Sequence, residues 1–191
     1  MSLGRPWEKQ YRNLLAEVEQ RWGKKLHGAD YAKMDEERWS NLDPTWYPSF
    51  RGRRDGDLID ISLKMDTLEL SVCVPVGALI LIRPEGFVDR LFKRIMFWWE
   101  FQTGNPAFDR KYYIEDIRNE ADKSLVRDPQ FQRLMGELEP FLLVSLGEKS
   151  ARLSCEIEGE SQFTLGYIDE RLGSLSRLAK HAAEVLYSRR Q

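Results

Sequence analysis

The sequence predicts an α+β fold, with a mainly antiparallel sheet of about six to seven strands built from hairpins and helices packed on it. Several runs carry an apolar residue at every second position between tight turns, which is typical of antiparallel strands with one solvated face. Other runs repeat at spacings of three and four, which is typical of amphipathic helices. Because the strands arrive in pairs rather than alternating singly with helices, an α+β class is favoured over a parallel α/β sheet.

The N-terminal helix is predicted from a stripe of apolar residues at helical spacing. Its members are Trp7, Tyr11, Leu14, Leu15, Val18 and Trp22. Charges of both signs occupy the opposite face, which favours packing on the domain over lying on a membrane. Gly23 is expected to end this helix. Residues 24–48 have no clean period and are expected to form an aromatic-rich arm.

A meander of strands is predicted to follow the arm. Asp55-Gly56 is a strong hairpin turn signal. Residues 58–65 and 68–74 alternate apolar and polar side chains, and 78–82 form a denser apolar strand.

In the second half of the chain, the pattern predicts helices that alternate with further strands. Its expected elements are a middle helix over 87–99, a strand over 107–115 containing Phe108, Asp116 as the cap of the next element, a helix starting at Asp128-Pro129, a hairpin over 141–158 and a closing helix over 168–187.

Composition predicts one globular domain. The chain has 191 residues, of which 42% are hydrophobic and 31% charged, with a net charge of −2. This charge argues against broad nucleic-acid or anionic-membrane binding. No run approaches the ~20 apolar residues of a membrane span, so a cytoplasmic protein is expected. Cys73 and Cys155 are expected to be buried free thiols, with a disulfide left open if their strands pair.

The expected organisation is an N-terminal helix and arm over 1–48 and an α+β domain over 49–191, forming one compact unit. Met1-Ser2-Leu3 looks like a cloning scar. The chain is therefore expected to be the cytoplasmic part of a larger protein, and a membrane tether elsewhere in that protein stays open.

Three stretches resemble an uncharacterised family of bacterial proteins. They are Phe50-Arg51-Gly52-Arg53-Arg54-Asp55-Gly56, Leu81-Ile82-Arg83-Pro84-Glu85-Gly86, and the most distinctive, Thr103-Gly104-Asn105-Pro106-Ala107-Phe108-Asp109-Arg110-Lys111-Tyr112-Tyr113. The resemblance covers roughly residues 48–185, and in look-alikes this region often follows membrane-spanning helices. It implies organisation and carries no established activity. In this turn, Asp109 is expected to accept hydrogen bonds from nearby amides.

Catalytic and metal-binding patterns are not found in the sequence. The two histidines, His27 and His181, are interpreted as surface residues, and no zinc motif, nucleophile elbow or phosphate loop occurs. No cofactor and no enzyme activity are therefore predicted. An alternative hydrolytic enzyme would use Asp57, Asp60 and Glu69 on the first hairpin, or the Asp109 and Arg110 pair.

The predicted function is a non-catalytic binding or protein-interaction domain, with a protein partner or a second copy of itself. The expected surface combines aromatic residues with a basic turn, namely Trp39, Trp46, Tyr47, Trp98, Trp99, Phe101, Arg51, Arg53 and Arg54. The alternative left open is a carrier of a small apolar ligand, enclosed between the sheet and the middle helix.

Overall fold

The computed structural model describes residues 7–23, 47–64, 66–86 and 101–188. These residues form five α-helices, namely α1 (Glu8–Trp22), α2 (Pro106–Asp109), α3 (Glu120–Arg127), α4 (Pro129–Gly136) and α5 (Leu165–Ser188), with a 3-10 helix at Glu160–Phe163. They also form seven strands, namely β1 (Phe50–Arg54), β2 (Asp57–Lys64), β3 (Thr67–Cys73), β4 (Ile80–Pro84), β5 (Tyr112–Glu115), β6 (Leu143–Leu146) and β7 (Ala151–Glu156). The predicted α+β class and its antiparallel sheet are confirmed.

The seven strands form one antiparallel sheet in the order β1-β2-β3-β7-β6-β4-β5. The C-terminal hairpin of β6 and β7 lies in the middle, because β7 pairs with β3 and β6 pairs with β4. The last hairpin of the chain therefore lies between β3 and β4, two strands that come much earlier in the sequence.

One face of the sheet, the inner face, carries the core. Residues paired across neighbouring strands form continuous apolar rows, and one such row is Ile59, Val72, Ala151, Leu146 and Ile80. All five are buried, and α5 packs against β3 and β7 on this face. Burying a side chain of the Leu or Ile type stabilises a fold by about 1.5–3 kcal/mol.

Helix α1 follows its predicted stripe. Tyr11, Leu14, Leu15 and Val18 are buried, and the Tyr11 hydroxyl donates to the Pro48 carbonyl oxygen at 2.6 Å. Gly23 ends the helix as expected, with a φ of 87°, a conformation that only glycine adopts readily.

The Asp55-Gly56 turn also forms as predicted. Both residues have positive φ, at 49° and 89°, which is the backbone geometry of a tight hairpin with matched twist. The turn places Arg54 and Asp57 opposite each other, at paired positions of β1 and β2.

The predicted strand over 107–115 is wrong in its first half. Residues Pro106–Asp109 form helix α2, and the strand is limited to Tyr112–Glu115. The Asn105 side chain accepts from the Ala107 and Phe108 amides at 3.1 and 3.4 Å. An Asn cap followed by proline favours a helical start, and this local signal outweighs the alternation. Phe108 is buried nevertheless.

Helix α3 was not predicted. Asp116, expected to cap the next element, adopts a positive φ of 62° instead. The cap is Asn119, whose side chain accepts from the Asp122 amide at 2.9 Å. The helix starting at Asp128-Pro129 is confirmed as α4, with Asp128 accepting from the Phe131 amide at 2.8 Å.

The two cysteines are unpaired thiols, but the prediction that both are buried is wrong for Cys73, which is partly exposed, and right for Cys155. Cys155 lies on the inner face opposite Leu68, whereas Cys73 lies on the other face, opposite Leu58. A bridge between them is therefore excluded by the alternation of the strands. In the described parts of the chain, no helix combines the length and apolar composition that crossing a bilayer requires.

The predicted arm, apart from Tyr47 and Pro48, and the predicted helix over 87–99 lie outside the described residues.

Candidate functional site

The predicted aromatic surface is described only in part. Trp39, Trp46, Trp98 and Trp99 lie outside the described residues. Tyr47 is buried, with its ring 5.5 Å from that of Trp7 and its hydroxyl donating to Glu8 Oε1 at 2.9 Å. Tyr47 therefore holds α1 to the segment before β1.

Phe101 is partly buried against the core. The guanidinium of Arg127 lies 4.9 Å from its ring centroid, a distance at which a cation is attracted to the ring face. Phe101 thus packs on Arg127 of α3.

The three arginines of β1 do not form one basic patch. Arg51 lies on the outer face, with its Nε 3.2 Å from Asp60 Oδ2. Arg53 donates to the Gly56 carbonyl oxygen at 3.0 Å. Arg54 points to the helix side, where its Nε donates to Asp169 Oδ1 of α5 at 2.6 Å.

Arg54 borders a charged groove along α5. The groove has a volume of about 500 Å³ and is lined by Arg54, Glu137, Asp169, Glu170, Gly173, Ser174 and Arg177. We call this set the α5 groove. It is built where the end of β1 and the end of α4 meet the middle of α5.

Gly173 forms the floor of the α5 groove beneath Arg54. A Cβ atom at position 173 would lie 3.2 Å from Arg54 Nη2. The absence of a side chain at this helical position therefore lets the guanidinium lie directly on the backbone of α5.

The charges of the α5 groove are arranged in pairs with partial exposure. Arg177 donates to Glu137 Oε2 and to the Ser174 hydroxyl, both at 3.0 Å. The Arg177 side chain is 59% exposed and that of Asp169 is 50% exposed. Exposed ion pairs contribute little to stability, so the exposed Arg177 can exchange partners with an incoming polar chain at small cost.

The three acids of the enzyme alternative are not brought to one site. Asp57 lies on the inner side, where its Oδ2 accepts from Ser176 at 2.6 Å and from Lys180 at 2.7 Å. Asp60 and Glu69 lie on the outer face, paired with Arg51 at 3.2 Å and with Lys64 at 3.0 Å.

The pKa of Asp57 lies below its ordinary value. Burial raises this pKa. The hydrogen bonds from Lys180 and Ser176 and the nearby cations lower it by more than burial raises it. Asp57 therefore joins the β1–β2 hairpin to α5 as an ionised carboxylate.

Asp109 and Arg110 take part in local hydrogen bonds. Asp109 Oδ1 accepts from the Thr103 amide at 2.9 Å and from its hydroxyl at 2.7 Å, so its predicted role in the turn is confirmed. Arg110 Nε donates to the Pro106 carbonyl oxygen at 2.9 Å.

One histidine–carboxylate pair was missed by sequence reasoning. His181 Nε2 lies 2.7 Å from Asp128 Oδ1. Burial raises the pKa of Asp128, but the contacts with His181 and the Phe131 amide bring it below its ordinary value. Because Asp128 also caps α4, the pair fixes the start of α4 to α5; no local signal links residues so distant in sequence.

A buried arginine was also missed. Arg171 is 7% exposed, and its Nη1 donates to the carbonyl oxygens of Leu138 and Glu139. Arg171 lies between Ile168 and Leu175 on the apolar stripe of α5, and this position in the sequence could have indicated that its side chain is buried. Arg171 fastens the α4–β6 connection to the closing helix.

The described residues contain no candidate metal site. Across 7–23, 47–64, 66–86 and 101–188, no group of three or more His, Cys, Asp or Glu side chains is placed to hold a metal ion.

Comparison with known proteins identifies a similar fold. No protein-family model and no curated protein matches the sequence. Among solved structures, the chain is similar to the crystal structure of the mycobacterial trehalose monomycolate transport factor A, TtfA, with a TM-score of 0.53 and 10% sequence identity. The likeness covers 95% of each chain. At this identity it concerns the architecture as a whole, from α1 to α5.

Proposed function

We propose that this chain is a non-catalytic protein-interaction domain and that its α5 groove receives a charged polypeptide segment. The observation that carries the proposal is the groove itself, where Arg177 and Asp169 are half exposed at the edge of a concave surface. Arginine is enriched at protein interfaces, and complementary charges fix the register of a bound partner.

The aspartates outside the groove accept structural hydrogen bonds, and this supports a binding role over a catalytic one. Asp57 and Asp128 each accept hydrogen bonds that join one element to another, and Asp109 accepts from Thr103 within its own turn. Since their positions are set by these contacts, they serve the scaffold on which the groove lies. The hydrolytic alternative draws no support from this arrangement.

The lining of the α5 groove favours a polar partner over an apolar ligand. Apart from Gly173, every lining residue is charged or carries a hydroxyl. Small apolar ligands are bound mostly by hydrophobic and aromatic side chains, so the carrier alternative draws no support from this groove.

Two further parts of the proposal concern the setting of the domain. We propose a cytoplasmic location, supported by the free thiols of Cys73 and Cys155, since disulfides are rare in reducing compartments. We also propose that this domain is the cytoplasmic part of a larger bacterial protein; TtfA, which shares its fold, is named a transport factor.

Site-specific photo-crosslinking tests the proposal in cells that naturally produce the protein. A photoreactive phenylalanine analogue replaces Arg177 in the groove and, as the matched control, Glu184, which is exposed on the same helix outside it. We expect a discrete crosslinked polypeptide from position 177 and none from position 184. Mass spectrometry identifies it as a different protein or a second copy of the chain.

Both identities support the proposal, because each is a polypeptide seated in the groove. Light scattering after size-exclusion chromatography distinguishes them, since a second copy doubles the molar mass. If position 177 gives no crosslink beyond that of position 184, and the chain is strictly monomeric, the proposed interaction role is contradicted.

A further inference from the structure

Two arginine side chains of the α5 groove converge over Gly173. A Cβ atom at position 173 would lie 3.2 Å from Arg54 Nη2 and 3.8 Å from Arg177 Nη1. Both guanidinium groups therefore reach within 4 Å of one point in the groove. The fold thus brings two cations together over a helical position that has no side chain of its own.

Each of these arginines is held in place by another of its nitrogens. Arg54 Nε donates to Asp169 Oδ1 at 2.6 Å, and Arg54 Nη1 lies 3.4 Å from Asp55 Oδ2. Arg177 Nη2 donates to Glu137 Oε2 at 3.0 Å. Because these contacts use other nitrogens, they orient both side chains without occupying Arg54 Nη2 or Arg177 Nη1.

The two nitrogens nearest to Gly173 are donors that lack a protein acceptor. Neither Arg54 Nη2 nor Arg177 Nη1 makes a hydrogen bond to a residue that the structure describes. A guanidinium group carries five N–H donors and no acceptor, so a group that joins these two nitrogens must be an acceptor. Charge-assisted N–H···O bonds are about 2.7–2.9 Å long, and one carboxylate group between the two nitrogens can bond both. The arrangement therefore indicates a site for an oxyanion.

The charge of the surrounding residues favours a carboxylate over a phosphate. The charged residues of the lining are two arginines and three acids, namely Arg54, Arg177, Glu137, Asp169 and Glu170. Glu137 is also paired with Arg133 at 3.3 Å, which leaves part of the Arg177 charge for an incoming group. A phosphate monoester carries about −1.5 to −2 charges at pH 7, so the acids of the lining repel it more strongly than a carboxylate with a single charge.

We propose that the α5 groove recognises an acidic side chain of its polypeptide partner, whose carboxylate bonds Arg54 Nη2 and Arg177 Nη1 over Gly173. This inference rests on the proposed function, because it names the group of the partner that enters the groove. The Arg177 side chain is 59% exposed, so the site is open to a partner from solvent. Glycine is required at position 173 because a side chain there would fill the space between the two guanidinium groups.

NMR titration of the full chain tests the inference without the partner. Backbone amide and arginine Nε–H shifts are followed while Nα-acetyl-glutamate N-methylamide, the glutamate probe, is added. Nα-acetyl-glutamine N-methylamide, which has the same shape and no charge, is the matched control, and sodium chloride keeps the ionic strength equal. We expect saturable shifts at Gly173, Arg54 and Arg177 with the glutamate probe and none with the glutamine control.

Two glycine substitutions on α5 distinguish the site from the helix that carries it. Gly173→Ala places a Cβ atom between the two guanidinium groups without a change of charge, so we expect affinity for the glutamate probe to fall by about tenfold or more. Gly166→Ala adds the same atom on the same helix, where nothing lies within 4 Å of it, and should keep affinity within about twofold of the parent chain. If Gly173→Ala does not fold, Arg177→Gln removes one of the two donors from a half-exposed side chain, with the same loss expected.

Four results would overturn the inference. These are no saturable shift up to about 100 mM of the glutamate probe, equal shifts with the glutamine control, unchanged affinity of the folded Gly173→Ala or Arg177→Gln chain, or tighter binding of Nα-acetyl-phosphoserine N-methylamide than of the glutamate probe. A crosslink at position 177 together with any of these results keeps the proposed function and rejects the acidic side chain. Carboxylate binding without a crosslinked polypeptide would instead reject the proposed function and keep the carboxylate site.

Discussion

At the scale of single residues, charged side chains of this protein link one element to another through hydrogen bonds and ion pairs. Asp57 accepts hydrogen bonds from Ser176 and Lys180, and Arg54 donates one to Asp169, so three hydrogen bonds hold the first hairpin to α5. The sequence pattern could not indicate these partners, because they lie more than a hundred residues away, with separations of 119, 123 and 115 positions.

Asp57 gives the fold a pH dependence that can be measured. Its pKa is lowered from 3.8 in the folded chain, so its contribution to the free energy of unfolding is present above the unfolded pKa and is lost as pH falls through the folded pKa. We expect the parent chain to lose more stability than Asp57→Asn between about pH 5 and pH 2 in urea unfolding. An Asp57→Asn variant that loses as much stability as the parent chain over this range would contradict the assignment.

At the scale of elements, local capping decides where the helices begin. Asn105, Asn119 and Asp128 each accept a backbone N–H at the start of a helix. The Asp128-Pro129 signal was recognisable in the sequence and predicted α4. The Asn105-Pro106 signal is of the same kind, yet the alternation that follows it concealed α2, and the weak apolar pattern of 120–127 concealed α3.

Asp128 is expected to stabilise the fold through two contacts, the cap of α4 and the pair with His181. Asp128→Ala removes both, and we expect the free energy of unfolding to fall by about 1–2 kcal/mol. Asp128→Asn retains a capping oxygen and should cost less than Asp128→Ala. Urea unfolding of the two variants at neutral pH measures the difference. Equal losses would show that the cap contributes nothing and would contradict this assignment.

At the scale of the whole molecule, the hairpins of the sheet could be predicted from the sequence, but the order of its strands could not. Period-two alternation predicted β2, β3 and the C-terminal hairpin, because each buries one face on the same core. The insertion of β7 beside β3 depends on pairing between strands about eighty positions apart, which no local pattern specifies. The same limit applies to the α5 groove, which draws Arg54, Glu137 and Asp169 from three separate elements.

The most direct test of the interaction role is the affinity of the partner that crosslinks at position 177, measured by isothermal titration calorimetry. Arg177→Glu reverses a half-exposed charge in the α5 groove, and Glu184→Lys makes the opposite change on the same helix outside it. We expect Arg177→Glu to weaken binding about tenfold or more and Glu184→Lys to leave it within about twofold of the parent. Equal affinity of all three chains would contradict the assignment of the groove as the binding site.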